Sequence, residues 1–506
     1  MTPVHGSTLG IFRMGLAINM LIQNDKFSDV FRNFQTSTLV LPYAGLGFFL
    51  PLDRESGDWL LQINRISLYL LLFGLMTRGA AVVNWLSFTY LFSICESNHN
   101  NHYILLCHVT FLVCFIDMSW GSLDRELWLL RTRGRRRRKL AGATKLVRPP
   151  MTVPHWHLLL MQLIMSIPYF FGAIAKMNPD WALRSQPPIM WFAHRSHWIY
   201  KLPYYPTLIA LGGIGFDLTI VPILFSKYRY VVGFPACLFF NAMNKFMFNI
   251  GIFPYVMVCS LVLFMPPAFF VALPKIIGAC LLGAGNDVWT QQVPDWLGLG
   301  TRKQKDDDVE NARGSATVGD PLLDGNKPTS ASTQERDARP WGWLTRKKLF
   351  VLIFMGSFAA FHVAFPLRHF VLYHSDPSWT EEGHFSAWHM MLRSKRGDAF
   401  VRLFTDEQEM RACEADAAAC RGAGVVVRME DDVAVAQRQM RKITTKPHAM
   451  LLWLGHLRRV HEKAGKRLVG AHVDDCYSLN ARRLQRQTIP RVNLMDYVDH
   501  YEIMGA

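Results

Sequence analysis

Apolar runs of near-bilayer length recur about nine times along this 506-residue chain, and they restrict its fold more than any other feature. A helix needs roughly 20 predominantly apolar residues to cross a bilayer. Inside the hydrocarbon such segments must be helical to satisfy their own backbone groups. The runs fall near residues 9–23, 58–76, 79–96, 102–120, 156–176, 206–225, 229–248, 252–274 and 348–366. The expected fold is mainly α: a polytopic helical membrane bundle of about nine transmembrane helices with a C-terminal mixed α/β region. The first run, Leu9 to Ile22, is interrupted by Arg13 and lacks a small-residue cleavage site, so it reads as a weak span rather than a signal peptide.

Charge then orients the spans. The formal net charge is +16, but much of the basic excess sits in loops beside apolar runs, most visibly Arg131 to Lys139. Such a cluster is a cytoplasmic marker or an anionic-lipid contact, and nucleic acid is not an expected partner. Counting spans outward from it places Arg78, Lys227, Arg229, Lys303 and Arg346–Lys348 on the same side, as the positive-inside rule requires. The amino terminus is then cytoplasmic and the C-terminal region lies on the opposite face. Residues 1–300 form the membrane domain. Residues 301–347, rich in Asp, Gly, Ser, Thr, Lys and Arg, read as a disordered cytoplasmic linker. Residues 348–366 form the last span, and 367–506 a water-exposed domain.

Nine cysteines are thinly spread, with no CxxC or Cys/His pair at zinc spacing, so no metal is expected. Cys413, Cys420 and Cys476 fall on the non-cytoplasmic side; a disulfide between two of them and free thiols are equally compatible with the sequence. No Asn-x-Ser/Thr sequon is present to mark a compartment.

Polar residues at membrane depth are expensive and tend to mark function. Lys176 closes the fifth span. In apolar surroundings a lysine loses solvation of its charged form, which makes a neutral amine available as a base; the alternative is an ammonium snorkelling at a helix end. The topology brings several other polar segments to the same face. Asn100, Asn101 and His102 join spans three and four, as a polar turn or as ligands. Asn241 and Asn244 share one helix face, for helix–helix bonding or for a ligand. Asp117, read as deep in span four, needs a partner or a proton. Trp388, Met390 and Met391 suit a flat apolar ligand or ordinary packing.

These residues carry a family resemblance. Lys176-Met177-x-Pro179-Asp180-Trp181, after a Phe/Tyr-rich helix, resembles the lysine motif of the vitamin K-dependent γ-glutamyl carboxylases. Asn100-Asn101-His102 is similar to the family's Asn-Asn-His turn, and Asn244-x-x-x-Phe248-x-Ile250-Gly251-x-Phe253-x-Tyr255-Val256-Met257 to its next membrane signature. Trp379-Thr380 with Gly383, Trp388, Met390 and Met391, and Arg482-Arg483-Leu484-Gln485 with Pro490-Arg491-Val492, resemble later stretches. The likeness spans roughly residues 8–496, in order and spacing.

The resemblance implies an HTTM-type membrane domain and a lyase of the endoplasmic reticulum membrane with a lumenal C-terminal domain. Vitamin K hydroquinone, O2 and CO2 are its co-substrates, it needs no metal, and its partner is a Glu-containing protein, propeptide-bearing in animal members. By position, Lys176 is the hydroquinone base, and Asn100, Asn101, His102, Asp117, Asn241, Asn244, His384, Trp388, Met390 and Met391 are the expected cofactor- or substrate-binding residues.

Two departures bear on the chemistry. A family histidine just after the aspartate matched by Asp117 is absent from Met118-Ser119-Trp120, and another is Asn241 here. Asparagine hydrogen-bonds but exchanges no proton near neutral pH, leaving His99, His102 or His384 to compensate. Two rival readings follow: a quinol epoxidase lacking efficient carboxylation, and a membrane binding or transport protein that reuses the fold.

Overall fold

Helices stand at the positions where apolar runs predict spans, with ends set by local turn chemistry. The computed structural model describes residues 3–36, 39–43, 45–125, 127, 152–248, 250–270, 273, 346–373, 376–432, 434–435 and 437–498. After a short strand β1 (Pro3–His5), the chain forms α1 (Ser7–Thr36), α2 (Arg54–Phe73), α3 (Thr77–Ser93) and α4 (Asn101–Phe115). Strand β2 (Thr152–Pro154) leads into α5 (His155–Lys176), followed by α6 (Tyr205–Phe225). A π-helical turn, Arg229–Gly233, opens into α7 (Phe234–Met247), and α8 (Phe253–Ser260) continues as a 3-10 turn to Phe264. Helix α9 (Arg346–Leu367) comes later in the chain.

Among the described residues, three helices are long and apolar enough to cross a membrane: His155–Lys176, Tyr205–Phe225 and Lys348–Leu367. Asn101–Phe115 and Phe253–Phe264 are apolar but shorter. Outward faces carry bare apolar side chains such as Ile63, Ile66 and Phe73 on α2 and Leu208, Leu211 and Phe225 on α6, as lipid-facing surfaces do. The Arg131–Lys139 cluster, residues 301–345 of the expected linker, Asn249 and residues 271, 272 and 274 of the expected eighth span lie outside the described residues.

Two contact units divide the chain, residues 1–264 with 362–506 and residues 265–361. In the first unit α1 to α4 pack consecutively, α5 packs on α4 and α6, and α8 returns against α1. Gly15 permits that return, because a Cβ there would lie 2.4 Å from Cys259 Sγ. Between α2 and α3, Asn64 Nδ2 donates to Ser87 Oγ at 2.7 Å, so buried polar groups pair across the helices.

The two ends of the bundle differ. At one end β1 pairs with β2, Arg13 donates to the Met118 carbonyl at 2.7 Å, and Asp124 N–H donates to Gly74 O at 3.4 Å. The other end carries the Glu96–Asn98 turn, Lys176 and the C-terminal region. There β3 (Lys395–Phe404) is the centre of an antiparallel sheet of order β4–β3–β5, with β4 at Val425–Arg428 and β5 at Gly470–Leu479. Helices α10 (Glu407–Ala415), α11 (Gln437–Thr445) and α12 (Pro447–Lys463) accompany it around buried Phe404, Val401 and Trp453. The region is docked by Asp180, whose buried carboxylate accepts from Arg482 Nη2 at 2.6 Å and Asn480 Nδ2 at 3.1 Å. Gln439 Nε2 also donates to Leu39 O at 2.5 Å.

One expectation is corrected. Asp117 is not deep in span four, because α4 ends at Phe115 and Ile116 is already extended. A polar turn ends the helix: the Asp117 carboxylate accepts from Ser119 N at 3.0 Å, and its own N–H donates to His157 Nδ1 at 3.1 Å. The open question of the cysteines is also answered: Cys413 and Cys420 form a disulfide, and Cys476 is free and exposed.

Candidate functional site

Lys176 owes its place to the way α5 ends. Asn178 caps the next helical turn by accepting from Trp181 N at 3.0 Å, and Pro179 occupies that turn's first position. Trp181 is pinned through Nε1 to Ala210 O at 2.9 Å. The chain therefore turns sharply at Lys176, and the amine points inward. Lys176 Nζ donates to Asp217 Oδ2 at 2.5 Å, with side chains 10% and 3% exposed. Asp217 comes from the middle of α6. Gly172 on α5 makes room for it, since a Cβ there would stand 3.2 Å from Asp217 Oδ2.

This pair faces a cavity of about 780 Å³. Its apolar wall includes Trp181, Met190, Trp191, Ile209, Phe240 and Phe253. Of the residues expected from sequence, Lys176, Asn100, Asn101, His102, Asn244, His384, Met390 and Met391 line it. Asn100 caps α4 by accepting from His102 N at 2.9 Å, and the His102 ring packs 5.2 Å from that of Phe253. Asn101 Oδ1, His102 Nδ1, His99 Nε2 and His384 Nε2 are buried with no hydrogen-bond partner. Buried unpartnered polar atoms are costly. The four residues that carry them all line the cavity.

Three expected residues lie elsewhere. Asn241 is buried one layer back, donating to Cys237 O at 2.9 Å and to Tyr169 Oη at 3.4 Å; Tyr169 itself lines the cavity. Trp388 is fully buried, away from the lining. Asp117 follows the far end of α4, whose 15 residues span about 22 Å, and it does not line the cavity. The segment carrying Trp388 is bent hard: Ser386, Trp388 and Met391 have φ of 55°, 60° and 60°. Left-handed backbone at non-glycine residues is strained and concentrates at ligand sites.

Sequence reasoning missed Asp217 and the charged rim. Asp217 carries a plain signal, a carboxylate inside an apolar run of spanning length. The rim has none, because its members converge from distant segments. Glu381 is buried against Arg393 Nε at 2.9 Å, Lys446 Nζ at 3.6 Å and Lys442 Nζ at 4.0 Å. Burial opposes ionisation of Glu381, yet the three cations prevail and hold its pKa at about 2. Glu96 pairs with Lys446 and, at 2.5 Å, with His448 Nε2. Burial there too is outweighed, and the carboxyl stays well below its ordinary range. Burial with nearby Lys446 drives His99 well below its usual value, and burial with Arg393 does the same to His384. The His99 and His384 imidazoles are therefore neutral near pH 7.

The rim gives a stability prediction. The folded-state pKa of Glu381 is depressed, so its contribution is full above the unfolded value near 4.5 and is lost as pH falls toward 2. Glu381→Gln should destabilise the protein at pH 7 by roughly 3–5 kcal/mol, the cost of breaking a buried ion pair. The gap between variant and wild type should close on acidification. Thermal unfolding followed by circular dichroism in detergent, between pH 7 and pH 3, measures both.

Among the described residues, one Cys/His/Asp/Glu group lies at metal-ligand separation, Cys413, Cys420 and His472, and none of the three lines the cavity.

Residues 1–269 match the family model of the HTTM domain, and residues 347–503 match that of the vitamin K-dependent gamma-carboxylase lumenal domain. No solved structure matches the chain.

Proposed function

The chain belongs to the vitamin K-dependent γ-carboxylase family, and from that premise we propose that it carboxylates protein-bound glutamate at the cavity beside Lys176. One observation carries the reading. The Lys176 amine, paired to Asp217 at 2.5 Å, opens on a largely apolar cavity shared with the Asn100–His102 turn and Met390–Met391. Reduced vitamin K, oxidised there by O2 to its epoxide, supplies the strong base that takes the glutamate γ-proton before CO2 adds.

The protein's own groups have separate tasks. Lys176 accepts the quinol proton. Asp217, in contact with the amine at 2.5 Å, aims it for that transfer. A dry wall makes the transfer effective, because water neither competes for the amine nor quenches a carbanion. Asn100, Asn101, His102 and Asn244 offer donors and acceptors to quinol oxygens, while Trp181, Phe253, Met390 and Met391 take its apolar faces. Arg393, Arg396 and Lys442 line the cavity as well, and their charge suits a carboxylate substrate.

In this reading nine spans set the membrane domain in the endoplasmic reticulum membrane. The amino terminus is cytoplasmic, the 301–347 segment is a cytoplasmic linker, and residues 367–506 are lumenal. Its partner is a Glu-containing protein.

One observation favours a shortened reaction. Asn241 stands where the family has a histidine, and it bonds Tyr169 and the backbone with no group able to exchange a proton. The test is a paired assay: purified protein, vitamin K hydroquinone, a Glu-containing peptide and labelled CO2, with epoxide and fixed label counted together. Carboxylation requires both products. Epoxide without label identifies a quinol epoxidase, and an unchanged quinol removes the enzymatic reading.

A further inference from the structure

Away from the cavity, α10, the loop after it and β5 bring three soft ligand atoms together. The Cys413–Cys420 disulfide joins Cα atoms 4.5 Å apart. His472 enters from β5 with Nδ1 turned toward Cys413 Sγ at 3.5 Å. The two sulfurs and a His472 nitrogen lie within 4.8 Å of one another. Tetrahedral zinc with Zn–S near 2.3 Å and Zn–N near 2.0 Å sets its ligand atoms roughly 3.5–3.8 Å apart, so only small shifts separate this cluster from a coordination shell. The opposite ring nitrogen, Nε2, faces Glu414 Oε1 at 3.6 Å. Ligating histidines usually have such an arrangement, with the distal N–H given to a carboxylate that fixes ring and tautomer. The Phe404 ring, 4.7 Å away and edge-on, further limits rotation of the imidazole.

We propose that Cys413, Cys420 and His472 form a redox-gated metal site: closed as a disulfide when oxidised, and open to a zinc-class divalent cation when reduced. Cys413 is fully buried and Cys420 only partly, so an attacking dithiol reaches the Cys420 sulfur first. The dithiol's thiolate bonds to Cys420 Sγ, the Cys413–Cys420 bond breaks, and Cys413 leaves as a thiolate beside His472. The reductant's second thiol then displaces Cys420 and ends as its own disulfide, a two-electron exchange. Cation uptake releases the remaining thiol protons, and two thiolates neutralise the dication. With three protein ligands, the fourth position falls to water.

Full-length protein in detergent, reduced with dithiothreitol and desalted without oxygen, should bind one equivalent of Co2+ with thiolate-to-cobalt charge-transfer and tetrahedral visible bands. Zn2+ should bleach these bands, and unreduced protein should show none. Cys420→Ser and His472→Gln should each abolish the bands or weaken binding at least tenfold, and Glu414→Gln should weaken it roughly 10–100-fold. Circular dichroism shows that each variant is folded, and the partly exposed Cys420 makes its substitution the safest. A reduced wild-type protein without charge-transfer bands overturns the site, as do bands that persist unchanged in His472→Gln. The outcome is independent of carboxylase activity.

Discussion

Lys176→Ala should lower the rate of quinol epoxidation by roughly 10²–10⁴-fold, the usual worth of a positioned general base. The expectation rests on placement. Lys176 is the amine at the apolar wall of the cavity, its side chain is only 10% exposed, and its bond to Asp217 aims it. Removing it leaves the Asp217 carboxylate buried without its cation, so the protein must be shown to fold before the rate is read. Epoxide formation and a thermal melt on the same preparation do this together. A folded variant that epoxidises at the wild-type rate means that Lys176 is not the base. Lys176→Arg is a sharper control: it keeps charge and counter-ion, but a guanidinium does not give up its proton in proteins, so the variant should fold like wild type and remain inactive.

How much of this was legible in the sequence depends on the range over which each feature is decided. Helix positions were readable because run length and composition are local, and helices lie where the runs predict them. Helix ends were less so. The end of α4 at Phe115 is set by a turn that uses His157, a residue far along the chain, and this displaced Asp117 from its expected depth. Asn100–His102, Lys176, Asn244 and Met390–Met391, far apart in the sequence, line one cavity in the structure. Topology does not constrain which side of a helix faces inward. Asn244 therefore lines the cavity while Asn241, three residues earlier, sits behind Tyr169. The rim was illegible for another reason. Glu96, Glu381, Arg393, Lys442 and Lys446 look like ordinary surface charges in sequence, and only tertiary packing buries them together. His472 was hidden likewise, since its nearness to Cys413 comes from the pairing of β3 with β5.

Asp217 supplies the second large effect, and substitution at both members of the pair separates its two tasks. Asp217→Leu should destabilise the fold by roughly 3–5 kcal/mol, because it strands the Lys176 ammonium in a dry wall without its carboxylate. The same variant should lose quinol turnover, since the amine loses the bond that aims it at the cavity. These two losses alone would not tell a structural aspartate from a chemical one. The double variant Lys176→Met with Asp217→Leu does. Replacing a buried pair by apolar side chains of similar volume is often neutral or stabilising by about 1–4 kcal/mol. The double variant should therefore melt at or above the wild-type temperature while forming no epoxide. Stability restored with activity absent means the charges are kept for chemistry at a cost to the fold. If the double variant instead melts as low as Asp217→Leu, the aspartate supports α6 by some route other than Lys176, and the 2.5 Å contact is not what holds the amine in place.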